Sequence, residues 1–102
     1  MKEKVLVRWC KDYLTYQQSL GKLYFIRNNT GAVVTGKRLI RFGKIGSSDF
    51  IVFLPYSKTI FIECKSDKGV MSDSQRDFAK LIMRLGYSYH IIRTTEELEK
   101  IL

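Results

Sequence analysis

Three charged residues in the middle of the chain have types and a spacing that could support metal-dependent hydrolysis. Asp49 precedes one short apolar segment, and Glu63 and Lys65 stand at the end of the next. Residues two apart on a strand share a face, so Glu63 and Lys65 point to one side of a sheet and Cys64 to the other. If residues 56–58 form a tight turn, Asp49 pairs with Lys65 and lies diagonal to Glu63, within roughly 7–8 Å.

The two carboxylates need a positive partner, because like charges in an apolar setting repel each other and lose their hydration. A hard divalent ion is one solution. Asp49 and Glu63 would bind it through oxygen, and waters and a substrate phosphate would complete the octahedron that Mg²⁺ prefers. The ion and Lys65 would then lower the pKa of a water and orient it for attack on phosphorus. The alternative is a salt bridge from Lys65 to one of the acids, with no chemistry attached.

The net charge of +8 is carried entirely by the N-terminal part of the chain. Residues 1–45 hold ten Lys and Arg against two acids, whereas residues 46–102 hold eight of each. A one-sided basic field suits a polyanion such as nucleic acid, or it serves as a solubilising face, and charge alone does not separate the two. The residues expected to contact phosphates are Lys37, Arg38, Arg41, Lys44, Ser47 and Ser48.

Composition excludes several other classes of protein. No apolar run approaches the roughly 18–20 residues that span a bilayer. One His and two Cys give neither a zinc site nor a disulfide framework, and a reducing cytoplasm is the simplest setting. The length and the 45% of hydrophobic residues predict one globular domain over residues 1–102.

Hydrophobic spacing predicts an α/β fold, a single mixed β-sheet flanked by helices. The two segments between Asp49 and Lys65 are apolar on both faces, which places their hairpin at the centre of the sheet with helices on both sides. Ser72 caps the second long helix, and Gln75 completes a capping box. The predicted elements are a helix over residues 3–20, a strand over 23–27, a turn over 28–31, short strands within 32–42, the hairpin 49–65, a helix over 72–85, a strand over 87–93 and a short helix capped by Thr94.

Four short motifs follow one another along the chain: Gly43-Lys44-Ile45-Gly46-Ser47-Ser48-Asp49, Ile62-Glu63-Cys64-Lys65, Ser72-Asp73-Ser74-Gln75 and Leu85-Gly86-Tyr87. In this order and spacing the chain resembles the virus-type replication-repair nuclease domain (VRR-NUC) of the PD-(D/E)XK nuclease superfamily, over nearly its whole length. The resemblance implies a restriction-endonuclease-like core with the order α-β-β-β-α-β-α. Two positions depart from the family pattern: Ser48 stands where proline usually precedes the aspartate, and Phe78 where tyrosine is common.

The resemblance also implies roles for individual residues. Asp49 and Glu63 would bind the metal together with the backbone carbonyl of Cys64. Glu3 matches the acidic residue of the family's first helix and is a further candidate ligand. The catalytic residues that the resemblance implies are Asp49, Glu63, Lys65 and Gln75. Lys65 would act on the attacking water. Gln75 matches the glutamine that follows the family's strand with the Glu-x-Lys motif, here Glu63 to Lys65.

These observations lead to a Mg²⁺-dependent DNA endonuclease as the expected function, with Mn²⁺ as a substitute. The resemblance implies branched or four-way-junction DNA as substrate, in replication, repair or recombination. It also implies a homodimer, because stand-alone members of the family are described as dimeric. We expect no membrane partner and a location in the cytoplasm of a bacterial or phage-infected cell. The alternative is a non-catalytic, basic nucleic-acid-binding module in which the charged triplet is structural; divalent-metal binding separates the two.

Overall fold

The structure, a computed structural model, describes residues 1–28, 31–44 and 46–102, with their side chains except those of 31–33 and 41–42. The predicted turn over residues 28–31 lies partly outside the described residues. No helix in the described ranges is long and apolar enough to span a membrane. The elements in chain order are α1 (Glu3–Ser19), β1 (Tyr24–Arg27), β2 (Gly31–Thr35), β3 (Arg38–Phe42), β4 (Phe50–Leu54), β5 (Lys58–Cys64), α2 (Asp73–Arg84), β6 (Ser88–Ile92) and α3 (Thr95–Ile101).

Four strands form one mixed sheet in the order β1-β4-β5-β6. The pairs β1–β4 and β4–β5 are antiparallel, and β5 and β6 are parallel because α2 provides the crossover between them. The predicted central position of the β4–β5 hairpin is confirmed. The elements of this sheet also follow the predicted order α-β-β-β-α-β-α, while β2 and β3 form a separate two-stranded sheet.

Helices cover both faces of the central strands, as the two-sided apolarity of these strands predicts. On one face, α2 packs through Phe78, whose ring lies edge to face against Phe61 of β5 and Tyr89 of β6, with centroid distances of 5.9 and 6.2 Å. On the other face, α1 and α3 pack on the alternate residues of the strands. The buried core there consists of Leu6, Cys10, Leu14, Phe50, Val52, Ile60, Ile62, Cys64, Ile92 and Leu98.

The predicted register of the central hairpin is wrong by two residues. Leu54 pairs with Lys58, so the turn begins one residue earlier than predicted. If this register is continued by one residue toward the open end of the hairpin, Asp49 lies opposite Glu63. The sequence interpretation placed Asp49 opposite Lys65. The two carboxyl groups are therefore direct cross-strand neighbours, closer than the diagonal arrangement expected from the sequence.

Both predicted helix caps are present. The Oγ of Ser72 accepts a hydrogen bond from the backbone N–H of Gln75 at 3.2 Å. The Oε1 of Gln75 accepts one from the backbone N–H of Ser72 at 2.9 Å, which completes the capping box. Thr94 Oγ1 accepts from the backbone N–H of Glu97 at 3.3 Å and caps α3. The box at the start of α2 fixes Gln75 beside the end of β5.

Candidate active site

Asp49 lies immediately before β4, at the same end of the sheet as the last residues of β5. Its Oδ2 accepts a hydrogen bond from the backbone N–H of Cys64 at 2.7 Å. Its backbone carbonyl accepts one from the backbone N–H of Asn28 at 2.8 Å. The other carboxylate oxygen, Oδ1, lies 3.6 Å from the guanidinium of Arg27. The neighbouring strands thus hold Asp49 on both sides and fix the direction of its carboxylate.

Glu63 is the buried carboxyl of the site, with a relative exposure of 3%. Its Oε2 accepts a hydrogen bond from Nε2 of Gln75 at 3.0 Å and lies 3.7 Å from Nζ of Lys65. Burial, and then the neighbouring carboxyl of Asp49, raise the pKa of Glu63 to about 8, against the opposing effect of Lys65. Without a further positive charge the group is largely protonated at neutral pH, so its contact with Lys65 is not a complete ion pair.

Lys65 is almost fully buried for a lysine, with a relative exposure of 9%. Its backbone N–H donates to the carbonyl of Ile92 at 3.0 Å, which ties the residue to the end of β6. Nη1 of Arg93 donates to the carbonyls of Ser66 and Gly69, at 2.6 and 2.8 Å, and holds the loop that follows. Strand β6 and the arginine at its end therefore restrict the position of the lysine.

Gln75 and Gly46 show how closely α2 is fitted to the site. Gln75 uses Oε1 for the helix cap and Nε2 for Glu63, so its capping role and its place in the site coexist. Gly46 has a φ of +84°, and a Cβ added there would lie 2.5 Å from the carbonyl oxygen of Ser74. Only glycine allows this approach of the loop before Asp49 to the first turn of α2.

Arg27 and Asn28, at the end of β1, belong to the site although the sequence interpretation did not select them. Nη1 of Arg27 donates to the carbonyl of Asp49 at 2.9 Å. Its guanidinium lies 5.0 Å from the centre of the Phe50 ring. Asn28 Nδ2 donates to Oγ of Ser47 at 2.6 Å and so fixes the loop before β4. The signal available in the sequence was only that Arg27 and Asn28 form a polar pair at the end of an apolar strand.

Glu3 lies at the start of α1 and lines a cleft of about 410 Å³ that Asp49 and Arg27 also line. Its charge contributes to the raised pKa of Glu63. Within residues 1–28, 31–44 and 46–102, however, no three His, Cys, Asp or Glu side chains are grouped as a metal site. Glu3 therefore lies beside Asp49 in this cleft, and its role as a further ligand stays a prediction.

The residues expected to contact phosphates lie in different surroundings. Lys37, Arg38 and Lys44 are exposed, and Lys44 lines a surface cleft together with residues of α2. The side chain of Arg41 is outside the described part of the chain. Ser47 is nearly buried beside Asn28. The expectation for Ser48 is not met, because its side chain is fully buried and its hydroxyl donates to the carbonyl of Phe50 at 3.1 Å.

The donor set of the site fits a hard divalent cation. Asp49 and Glu63 offer carboxylate oxygens from adjacent strands, and the carbonyl of Cys64 would add a neutral oxygen. The raised pKa of Glu63 is the effect that a bound cation reverses, because a nearby positive charge favours the carboxylate. Two acidic side chains leave coordination positions for waters and phosphate, as Mg²⁺ prefers.

Comparisons with known proteins agree with the fold described above. The sequence model of the VRR-NUC domain matches residues 26–96, which include the acidic pair, Lys65 and Gln75. A solved structure titled VRR_NUC domain is similar over 99% of this chain and 95% of its own length, with a TM-score of 0.65 and 16% sequence identity. At that identity the likeness concerns the fold alone. The search of curated proteins gave no match.

Proposed function

Because the chain belongs to the VRR-NUC family of nuclease domains, we propose that it is a metal-dependent endonuclease that hydrolyses phosphodiester bonds of DNA. The observation that carries this proposal is the buried carboxyl of Glu63, which meets Asp49, Lys65 and Gln75 at one end of the central hairpin. A structural salt bridge needs neither the second acid nor the glutamine. Both are accounted for by a site that binds a cation and positions a water.

In the proposed mechanism, Asp49, Glu63 and the carbonyl of Cys64 hold a divalent cation, Mg²⁺ or Mn²⁺. When bound, this cation polarises a water and offsets negative charge on the phosphate. Lys65 places its ammonium group at the same edge, where it orients the attacking water and stabilises the charge that develops on the phosphate oxygens. Gln75 donates to Glu63 and keeps the carboxyl in one rotamer.

The proposed substrate is branched DNA, with the four-way junction as the first candidate, in replication, repair or recombination. One protomer carries one site and cuts one strand, so paired incision of a symmetric junction requires two copies. We therefore propose a homodimer. Lys37, Arg38, Arg41 and Lys44 are proposed as backbone contacts away from the cut.

The experiment that tests the nuclease compares Lys65→Ala with Lys68→Ala, a matched change at an exposed lysine of the following loop. Both variants and the wild type are incubated with labelled linear, nicked, flapped and four-way-junction DNA, with and without Mg²⁺. We expect the wild type to cut only with the metal. Lys65→Ala should lower the rate by about 10²- to 10⁴-fold and leave DNA affinity unchanged, because the lysine acts on the water. Lys68→Ala should cut like the wild type.

A second comparison tests the metal. Asp49→Asn should weaken Mg²⁺ and Mn²⁺ binding in calorimetry and abolish cleavage, whereas Asp77→Asn, at an exposed position of α2, should change neither. If Lys65→Ala and Asp49→Asn still cut at the wild-type rate, the nuclease assignment is wrong. If the wild type binds DNA but shows neither metal binding nor DNA cleavage, the chain is a non-catalytic DNA-binding module.

A further inference from the structure

Helix α1 carries a row of basic side chains on its outward face. Lys4, Arg8 and Lys11 follow at intervals of four and three residues, so their side chains lie on one side of the helix. All three are exposed. The opposite side of α1 is fixed in the core by the buried residues Leu6, Cys10 and Leu14. We name these three basic residues the α1 row.

The α1 row opens onto the same cleft as the acidic site. The wall of this cleft contains all three residues of the row, together with Glu3, Arg27 and Asp49. Arg27 stands where the row meets the site, because its guanidinium donates to the carbonyl of Asp49 at 2.9 Å. Four positive side chains therefore line a cleft that ends at Asp49, where they would offset the repulsion between an approaching phosphate and the carboxylates of Glu3 and Asp49.

The length of the row matches a short stretch of nucleic-acid backbone. From Lys4 to Lys11 the helix rises seven residues, about 10 Å at 1.5 Å per residue. Successive phosphates of one strand advance about 3.4 Å along a duplex axis, so the row spans about three nucleotide steps. A contact of this length, beginning beside the site, would guide one strand toward Asp49.

We propose that the α1 row binds the backbone phosphates of the DNA strand that enters the acidic site. This inference rests on the proposed function. It assigns the phosphate contacts near the cut to α1, whereas the sequence interpretation placed the phosphate contacts in residues 37–48. The row supplies contacts close to the cut, and it acts through phosphates, so it is independent of base sequence.

The test compares two triple variants with the same loss of charge. The first replaces Lys4, Arg8 and Lys11 with Gln. The matched control replaces Lys22, Lys58 and Lys100 with Gln; all three are exposed, and Lys58 begins β5 at the end of the hairpin opposite the site. Gln is a good helix former, so α1 should be preserved, and circular dichroism confirms folding. Affinity for a labelled duplex is measured without divalent metal at salt concentrations from about 50 to 200 mM.

The slope of log affinity against log salt is negative, and for the α1-row variant we expect it to become less steep by about 2–3. Affinity should be at least tenfold lower at the bottom of the salt range. Single replacements should each lower the slope by about one. The control triple should change the slope by less than one. Equal slopes for both triples, or an unchanged slope for the α1-row variant, would overturn the inference. Because binding is read without metal, a wild type that binds in this manner but never cuts contradicts only the nuclease proposal.

Discussion

At Glu63 the stability of the fold and the proposed chemistry oppose each other. Folding removes its carboxyl from water and places it opposite a second acid, and both effects raise its pKa, to about 8. The ammonium of Lys65 at 3.7 Å compensates only in part. A chain selected for stability alone would have an amide or an apolar side chain here. The divalent cation proposed above would account for the carboxyl, because it needs the negative charge.

Replacing Glu63 with Gln is expected to stabilise the metal-free protein at high pH. The folded-state pKa of about 8 lies above the ordinary 4.5, so the protonated carboxyl stabilises the fold at low pH and this contribution is lost as the pH rises through about 8. Gln resembles the protonated form and still offers an oxygen to Gln75. The unfolding free energy of the variant should therefore exceed that of the wild type by up to about 5 kcal/mol near pH 9 and match it near pH 4.

Urea unfolding in the presence of a chelator, at several pH values, measures this difference. Glu99→Gln, at an exposed position of α3, is the control and should leave the pH profile of the wild type unchanged. A Glu63→Gln variant that is less stable than the wild type near pH 9 would show that the ion pair with Lys65 dominates, as the salt-bridge alternative requires.

At the level of single residues, strand alternation correctly predicted that Glu63 and Lys65 share a face and that Cys64 points away into the core. Arg27 could not be predicted in the same way, because its contact with Asp49 depends on β1 pairing with β4, and sequence spacing does not state which strands pair. Ser48 was expected at a phosphate because a serine hydroxyl in this loop could hydrogen-bond one; here the close packing of the loop buries it.

Helix α2 couples local helix chemistry to the site. The capping box that begins the helix also delivers the amide of Gln75 to Glu63. The same first turn receives the loop at Gly46, whose backbone approaches Ser74 more closely than any other residue would allow. The capping box was predictable from Ser72 and the residue three positions later, whereas the hydrogen bond to Glu63 follows only from the packing of α2 on the sheet.

Two substitutions in this turn should separate the cap from the site. Ser72→Ala removes the acceptor for the N–H of Gln75 and should lower stability by about 1 kcal/mol, with cleavage close to wild type. Gln75→Glu keeps an oxygen for the N–H of Ser72 but removes the donor to Glu63 and adds a carboxylate beside it. Because Glu63 loses the donor that holds its rotamer, cleavage should fall by about 10- to 100-fold with the cap intact. Thermal unfolding and cleavage rates provide the two readings; equal losses of cleavage in both variants would contradict this division.

The turn between β4 and β5 explains why the predicted register was wrong. Tyr56 and Ser57 have positive φ values, 64° and 60°, in a region that Gly, Asn and Asp enter most readily. The sequence has none of these residues there. The turn signal that it does carry is Pro55, which begins the turn, whereas a turn over residues 56–58 assigns this proline to the strand. The central place of the hairpin was nevertheless predictable, because it depends on the apolar character of both strand faces rather than on the turn.

At the scale of the whole molecule, the β2–β3 hairpin stands apart from the rest. Among the described residues, no Cα atom of this hairpin lies within 8 Å of a Cα atom in another helix or strand. The Cα radius of gyration is 14.4 Å, compared with about 13 Å for a compact chain of this length. Val34 and Leu39 pair directly across the hairpin and are 74% and 55% exposed. An isolated two-stranded hairpin is marginally stable in water, so a partner that covers these side chains would stabilise it.

We expect that partner to be a second copy of the chain. Replacing Val34 and Leu39 with Lys should convert a dimer of about 24 kDa into a monomer of about 12 kDa in light scattering, because charge is introduced on the covered face. Val70→Lys, at an equally exposed apolar position outside the hairpin, should leave the dimer intact. The monomeric variant keeps its active site, so four-way junctions should receive single nicks instead of paired cuts.

A wild type of about 12 kDa at micromolar concentration, or a double variant that remains at about 24 kDa, would count against this arrangement. A double variant that loses DNA affinity without a change in mass would instead make the hairpin a DNA contact.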